Sequence, residues 1–365
     1  MNKNPFPPNG GSPLSSPRLK PGASRGYSVN ARLRILMIGA GTMGSVHSRA
    51  YRRLADAELV GIVDPYPLGQ ALAETLNVAH YHALDDVADD AYDVVDICAP
   101  SPWHRPYVIL AAEKKKAIFC EKPLALTLED ADQMLNAVHR HGVRFSVGHC
   151  VRFFPEYVRA KAVIDEGTLG AIAVVRTFRG GGFPTAWNDW YASRSLSGGT
   201  LIDLLIHDFD FLRWVLGPVA RVYAQSVLPE MNRVDFSLVT LRFASGALAH
   251  VEGTWAHRQF GTRFEFSGSQ GTLVHDSYRE HPLNFTTTGP TEGVALPETP
   301  GLLSSYDLEI ADFVDALRTD RPFRVSPDDA YQALRIALAA SQSAQTGAVV
   351  TLEPESGSRS QGGAQ

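Results

Sequence analysis

Asp203 and His207 stand four residues apart in TLIDLLIHDFDFLRW, a run whose other positions are mostly apolar. On a helix that spacing puts both side chains on one face. Leu204, Leu205, Ile206, Phe209 and Leu212 mark the helix as mainly buried, so both polar groups need partners. Two roles fit the pair. It is either a satisfied core His–Asp pair or a general acid/base, with His207 carrying the proton and Asp203 fixing its tautomer and orientation. Metal ligation is disfavoured, because Asp210 lies i+3 from His207 but no second histidine motif stands nearby. Lys122, between Glu121 and Pro123, follows the apolar run AIFC. A lysine at the mouth of a ligand-binding sheet can donate to a substrate hydroxyl and polarise it. Cys98, Cys120 and Cys150 fall at or near strand ends without C-x-x-C spacing, so they read as small buried hydrophobes and no metal is expected.

A second group of residues suits a phosphate-bearing ligand. Leu33 to Ile38 (LRILMI) has the composition of a buried strand, and Gly39-Ala40-Gly41-Thr42-Met43-Gly44 follows it directly, ahead of a segment with helical spacing. In that setting Gly39 permits a tight turn, Gly41 lets the backbone approach a pyrophosphate, and Gly44 lets helix and strand pack closely. The next apolar run, ELVGIV, ends in Asp64, twenty residues after Gly44. A carboxylate there suits the two ribose hydroxyls of an adenosine, which makes NAD the expected cofactor.

The elements that must position these groups alternate. YDVVDICAP, AIFCEKP and VRFSVGHC read as strands, and LGQALAETLN, HRPYVILAAEKKK and LEDADQMLNAVHRHG as helices, which predicts an α/β domain with a doubly wound parallel sheet over residues 33–151. From 152 to 354 the grammar changes. PEYVRAKAVIDEGTLG and TLIDLLIHDFDFLRWVLG read as helices, and AIAVVRTFR, ARVYAQSVL, VDFSLVTLRFA, ALAHVEGTWAHR, TRFEFSG and GTLVHDS as strands. That predicts a C-terminal α+β domain whose mostly antiparallel open sheet is packed by helices on one face. Residues 1–32 are basic, proline-rich and free of Asp and Glu, and 355–365 are Gly- and Ser-rich, so both ends are expected to be disordered.

Composition narrows the function classes. The chain has 365 residues, a net charge of −5, 44% hydrophobic and 20% charged residues. That allows two domains and argues against a nucleic-acid partner bound through a basic surface. No apolar run reaches membrane-spanning length, and three cysteines do not make a disulfide framework, so a cytoplasmic location is the default.

The motifs GAGTMG (39–44), CEKPLALTLEDA (120–131) and SGGTLIDLLIHDFDFLRW (197–214) together resemble the Gfo/Idh/MocA oxidoreductases, over residues 33–353 or so. The resemblance implies a Rossmann domain and a catalytic set of Lys122, Asp203 and His207. It implies further cofactor contacts from Ala99, Pro100, His104 and Glu121. Arg152 sits where family members carry an arginine near the active site, and Trp190 takes the place of a family aromatic, so both are expected to line the substrate pocket. Ser101 replaces a frequent asparagine, and Ala192-Ser193-Arg194 replaces an acidic-Pro stretch in the loop expected to touch substrate. The implied activity is NAD-dependent hydride transfer from a secondary alcohol of a polyol, inositol or sugar, by a homodimer or homotetramer formed through the C-terminal sheet. An NAD-dependent glycosidase and a non-catalytic dinucleotide-binding regulator are the alternatives.

Overall fold

The computed structural model describes residues 31–227, 235–278 and 303–354; the proline-rich extension through residue 30 and the tail from 355 lie outside them. The first domain runs β1 (Leu33–Ile38), α1 (Thr42–Arg52), β2 (Ala57–Val63), α2 (Pro67–Leu76), β3 (Ala79–Tyr81), β4 (Val94–Ile97), α3 (His104–Glu113), β5 (Ala117–Glu121), α4 (Leu128–His141) and β6 (Phe145–Gly148). All six strands are parallel, in the order β3-β2-β1-β4-β5-β6. The sheet is covered on both faces, which is why its central strands are mainly apolar rather than alternating. The order reverses between β1 and β4, and the crevice beyond their carboxyl ends is where such a sheet binds a ligand. Short β3 is an element that the sequence reading passed over.

The second domain begins with α5 (Pro155–Asp165) and β7 (Ile172–Gly182), and continues through α6 (Arg194–Ser197), α7 (Ile206–Leu216), β8 (Val219–Val227), β9 (Phe236–Phe243), β10 (Leu248–Thr254), β11 (Ala256–Gly268) and β12 (Thr272–Asp276). Helices α8 (Ser305–Thr319) and α9 (Pro327–Thr346) and the short β13 (Val350–Thr351) close the chain. The strand order is β12-β11-β7-β10-β9-β8-β13. Every pair is antiparallel except β7 with β10. The segment ALAHVEGTWAHR is therefore not one strand. It breaks at Trp255, and the chain passes from one side of β7 to the other.

The inner face of this sheet, with Val222, Val239, Leu241, Val251 and Phe266, joins one core with Phe209, Phe211 and Leu212 of α7 and Leu334 and Ala337 of α9. The outer face leaves Leu238, Arg242, His250 and Arg263 exposed. Helix α8 departs from a simple two-block division. Its Ile310, Phe313, Val314 and Leu317 pack under Leu33, Ile35 and Met37 of β1, so a late segment completes the core of the first domain. Both closing helices start on reciprocal caps, Ser304 with Asp307 and Ser326 with Asp329.

Segment 200–217 does not form the single helix that its sequence predicts. Residues Thr200–Leu204 make a wide turn in which Leu205 N–H bonds to Thr200 O, five residues back, before α7 begins at Ile206. Such π turns concentrate at functional sites. This one contains Asp203 and ends just before the helix that carries His207.

Candidate active site

A cleft between the two domains is lined by residues 39–43, Asp64, Cys98–Ser101, Glu121 and Lys122 from the first domain and by Arg179, Trp190, Asp203 and His207 from the second. Its cofactor end is set by the glycine turn. Gly39 has φ +97°, and a Cβ there would lie 2.8 Å from the Cys98–Ala99 backbone. A Cβ on Gly44 would meet Gly39 O at 2.1 Å, so this residue packs helix on strand instead of facing the cleft. A Cβ on Gly41 would point into open space, where a pyrophosphate would need the room. Asp64 Oδ2 accepts Ala40 N–H and Oδ1 accepts Tyr66 N–H, both at 2.9 Å. Two backbone donors orient the carboxylate and leave it further acceptor capacity for hydroxyls. These residues fit an NAD adenosine and pyrophosphate.

Where β5 ends, Glu121 and Lys122 face different surroundings. Glu121 Oε2 accepts Lys122 N–H at 3.0 Å, and Oε1 lies 3.1 Å from His47 Nε2. His47 Nδ1 bonds Asp96 Oδ2 at 2.9 Å. Burial works against charge on His47, but Cys98 and Asp96 outweigh it and raise the imidazole well above its usual value. Burial likewise opposes the Glu121 carboxylate, yet His47 and Lys122 bring its pKa down. An imidazolium between two carboxylates thus anchors the residue before Lys122, a role for His47 that the sequence reading missed. Ligand atoms of His47, Asp96 and Cys98 lie within 4.8 Å of one another, but here they bond among themselves.

Lys122 Nζ donates to Asp203 O and Asp203 Oδ1, each at 2.9 Å. That corrects the expected partnership: Asp203 holds Lys122, not His207, because the π turn breaks the i,i+4 register. His207 is enclosed at the cleft wall, and its Nδ1 has no hydrogen-bond partner. Burial, then the positive charges of Lys122 and Arg179, hold its pKa well below the usual imidazole value, so the ring is neutral near pH 7.

Ala99, Pro100, Thr42, Met43 and Trp190 line the cleft as expected; His104 and Arg152 do not. His104 is buried, with ring nitrogens 2.9 Å from Ala99 O and Pro123 O. It ties the loop after β4 to the one after β5 and offers the cofactor nothing directly. Arg152, 2% exposed, grips Asp210 through Nε (2.8 Å) and Nη2 (2.6 Å), with Asp329 at 3.2 Å. It is an internal tie between the short turn of residues 150–153, α7 and α9. Arg194, in the loop expected to touch substrate, turns to Asp235 at 2.9 Å instead. The cleft also gains aromatic walls that the sequence reading left unassigned: Tyr66, Trp187, Tyr191, Trp255 and Tyr306. The tryptophans in the Gly- and Trp-rich loop were the available signal for Trp187. Tyr306 had none, since it is brought in by α8 from far along the chain.

Comparison with known proteins gives a consistent result. A model of an oxidoreductase family with an NAD-binding Rossmann fold, GFO_IDH_MocA, matches residues 33–149, and the GFO/IDH/MocA C-terminal domain model matches 157–274. The myo-inositol 2-dehydrogenase of Thermotoga maritima is 31% identical over 335 residues, covering 88% of this chain and 99% of that protein. Among solved structures, GenD2 from gentamicin A biosynthesis, in complex with NAD, superposes with a TM-score of 0.81 at 28% identity, over 90% of this chain and 99% of its own. A myo-inositol dehydrogenase from Corynebacterium glutamicum gives 0.75 at 29% identity, over 89% of this chain and 100% of its own.

Proposed function

The chain belongs to the GFO/IDH/MocA family of NAD-binding oxidoreductases, and on that premise we propose that it oxidises a secondary alcohol of a polyol, inositol or sugar. One observation carries the reading. Lys122 spends two N–H bonds on Asp203 and keeps a third, on the same cleft as the neutral, unpaired His207. A hydroxyl group needs both a donor to its oxygen and a base for its proton, and these two residues supply them. Bound NAD supplies the hydride acceptor. Lys122 holds the hydroxyl oxygen, His207 accepts the hydroxyl proton, and Asp203 balances the lysine charge and fixes its direction. Because His207 stays neutral to unusually low pH, the acid limb of kcat/KM falls below the ordinary imidazole range.

Substrate names borne by relatives, the myo-inositol 2-dehydrogenase among them, support the polyol class. The exposed Leu238 and Val227 on the second sheet's outer face support a homodimer or homotetramer built there. The test is NAD reduction across inositols, aldoses, sugar acids and glycosides. Turnover on one class of secondary alcohol is expected. Stoichiometric NAD binding without turnover on any of them would overturn the reading in favour of a dinucleotide-binding regulator.

A further inference from the structure

The cleft is bridged at one end by an aromatic contact that no part of the proposed chemistry uses. Tyr66 follows β2 in the first domain, and Trp187 lies in the loop between β7 and α6 of the second. Their ring centroids are 4.4 Å apart, with planes tilted by 37°. Both rings are nonetheless largely open to solvent, Tyr66 at 44% and Trp187 at 51%, and exposed Leu68 and Trp103 stand on the same rim. Four large apolar side chains gathered at a cleft mouth form a patch that marks a binding site more often than a free surface.

Position and backbone point to the occupant. Tyr66 N–H bonds the carboxylate of Asp64, the residue expected to take the ribose hydroxyls, which puts the aromatic bridge at the expected adenosine end. On the other side, Asn188 and Asp189 both adopt left-handed backbone, φ 52° and 49°. Two successive non-glycine residues there carry strain, which persists only where the surroundings enforce it and which gathers at ligand clamps. The turn they make sends Trp187 to Tyr66, while Trp190 stacks on Tyr191 at 4.1 Å on the substrate side.

We propose that Trp187 is a cofactor clamp, carried on a loop of the second domain and closing with Tyr66 over the adenine of the dinucleotide. Adenine is a flat aromatic ring, and the four rim side chains offer it faces and edges but no charge. The clamp rests on the cofactor half of the proposed function and not on the alcohol chemistry. It holds the two domains together across the bound nucleotide, and it makes cofactor release depend on a loop that also shapes the substrate wall through Trp190.

The test uses the full-length protein and direct binding. NAD, ADP-ribose and nicotinamide mononucleotide are titrated by calorimetry against wild type, Trp187→Ala, Trp187→Phe and Tyr66→Ala. A lost stacking contact weakens NAD and ADP-ribose by roughly three- to tenfold in Trp187→Ala and Tyr66→Ala, with faster ADP-ribose release in stopped-flow. Trp187→Phe keeps most of the affinity, and nicotinamide mononucleotide binds all four proteins alike. Wild-type tryptophan emission changes on ADP-ribose binding, and Trp187→Phe loses that part of the change. Equal ADP-ribose affinity in wild type and both alanine variants overturns the clamp while leaving the cofactor assignment standing. Failure of wild type to bind NAD and ADP-ribose would overturn both.

Discussion

Two buried polar clusters meet near α7, and they contrast in how completely the cation of each is paired and in whether they reach the cleft. In one, Arg152 divides its guanidinium among Asp210, Asp329 and the carbonyl of Arg324. In the other, Lys122 is bonded to Asp203 with a donor to spare, and His207 beside them has a ring nitrogen with no partner. The residue types are alike: a cation, carboxylates and a histidine, which is His149 beside Asp210 in the first cluster. Both histidines have ring nitrogens without partners, so what separates the clusters is how fully the cation is paired and whether the group lines the cleft, as Lys122, Asp203 and His207 do and Arg152, Asp210 and His149 do not. A closed set of bonds can only stabilise, whereas an open one at a cleft has capacity left for a ligand.

Breaking the open cluster should cost turnover. His207→Ala is expected to lower kcat by roughly 10²–10⁴-fold, the usual worth of a general base, with NAD affinity and melting temperature little changed. Lys122→Met should act similarly. The double variant should lose less than the product, because both act on one hydroxyl. Steady-state kinetics beside a thermal melt separates these outcomes, and near-normal turnover in His207→Ala would reduce it to a core histidine.

Breaking the closed cluster should cost stability instead. Arg152→Ala leaves Asp210 buried without its cation, a loss of about 3–5 kcal/mol. The melting temperature should fall steeply while KM in the surviving folded protein stays put. Asp329 gives the same cluster a pH signature. Burial pushes its pKa up, but Arg152 and the Ser326 cap outweigh that and bring it down to about 2. Its stabilisation is therefore present above the ordinary carboxylate range and is lost as pH falls toward that value. A raised KM with an unchanged melt would return Arg152 to the substrate pocket.

The contrast also explains what the sequence could and could not reveal. GAGTMG, Asp64 and the Lys122 corner are legible because each depends on local backbone geometry within one strand–turn–helix unit. Arg152 and His104 were misplaced because proximity to a motif in sequence says nothing about which way a side chain faces. Asp203 was given the wrong partner because a π turn forms through tertiary packing and leaves no periodicity to read. The crossing of β7 between β10 and β11, and the arrival of Tyr306 and all of α8 at the first domain, are long-range pairings, and a hydrophobic pattern encodes burial without naming the neighbour.

Lack of a partner alone does not make a site, and Glu309 sharpens that point. Both its carboxyl oxygens are buried without partners, yet it does not line the cleft. Burial first, then the charges of Glu121 and Asp96, raises its pKa well above 4.5, which favours the neutral acid. The folded state thus holds a proton that the unfolded chain releases. Stability falls with rising pH by about 1.4 kcal/mol per unit between the two pKa values. Glu309→Gln should remove that slope. Its melting advantage over wild type should widen as pH rises above the ordinary carboxylate range with kcat unchanged, and a constant gap would mean that Glu309 is ionised and paired.

Asp64 lies between the two extremes, held by two backbone donors and still able to accept. That makes it the finest probe of the comparison, because its effect is on choice of ligand and not on turnover or folding. Its carboxylate can take both ribose hydroxyls of NAD. The 2′-phosphate of NADP would bring about two negative charges close to it, and at ~4 Å with an effective dielectric near 20 the repulsion is several kcal/mol before rearrangement. Among the described residues, no uncommitted cation lines the cleft. Pro65 and Tyr66 follow Asp64, and Arg53 is committed to Asp307 at 2.6 Å. The only Lys or Arg side chains on the cleft are Lys122 and Arg179, among the described residues, and each is already bonded to a carboxylate. A preference for NAD over NADP of at least about tenfold in kcat/KM is expected, which needs only ~1.4 kcal/mol. Asp64→Ser keeps an acceptor for the hydroxyls while removing the charge, so it should narrow or reverse that preference at little cost to kcat with NAD. Equal use of the two cofactors by the unmodified protein would show that the held carboxylate belongs with Arg152 and Asp210 among the closed bonds of the fold.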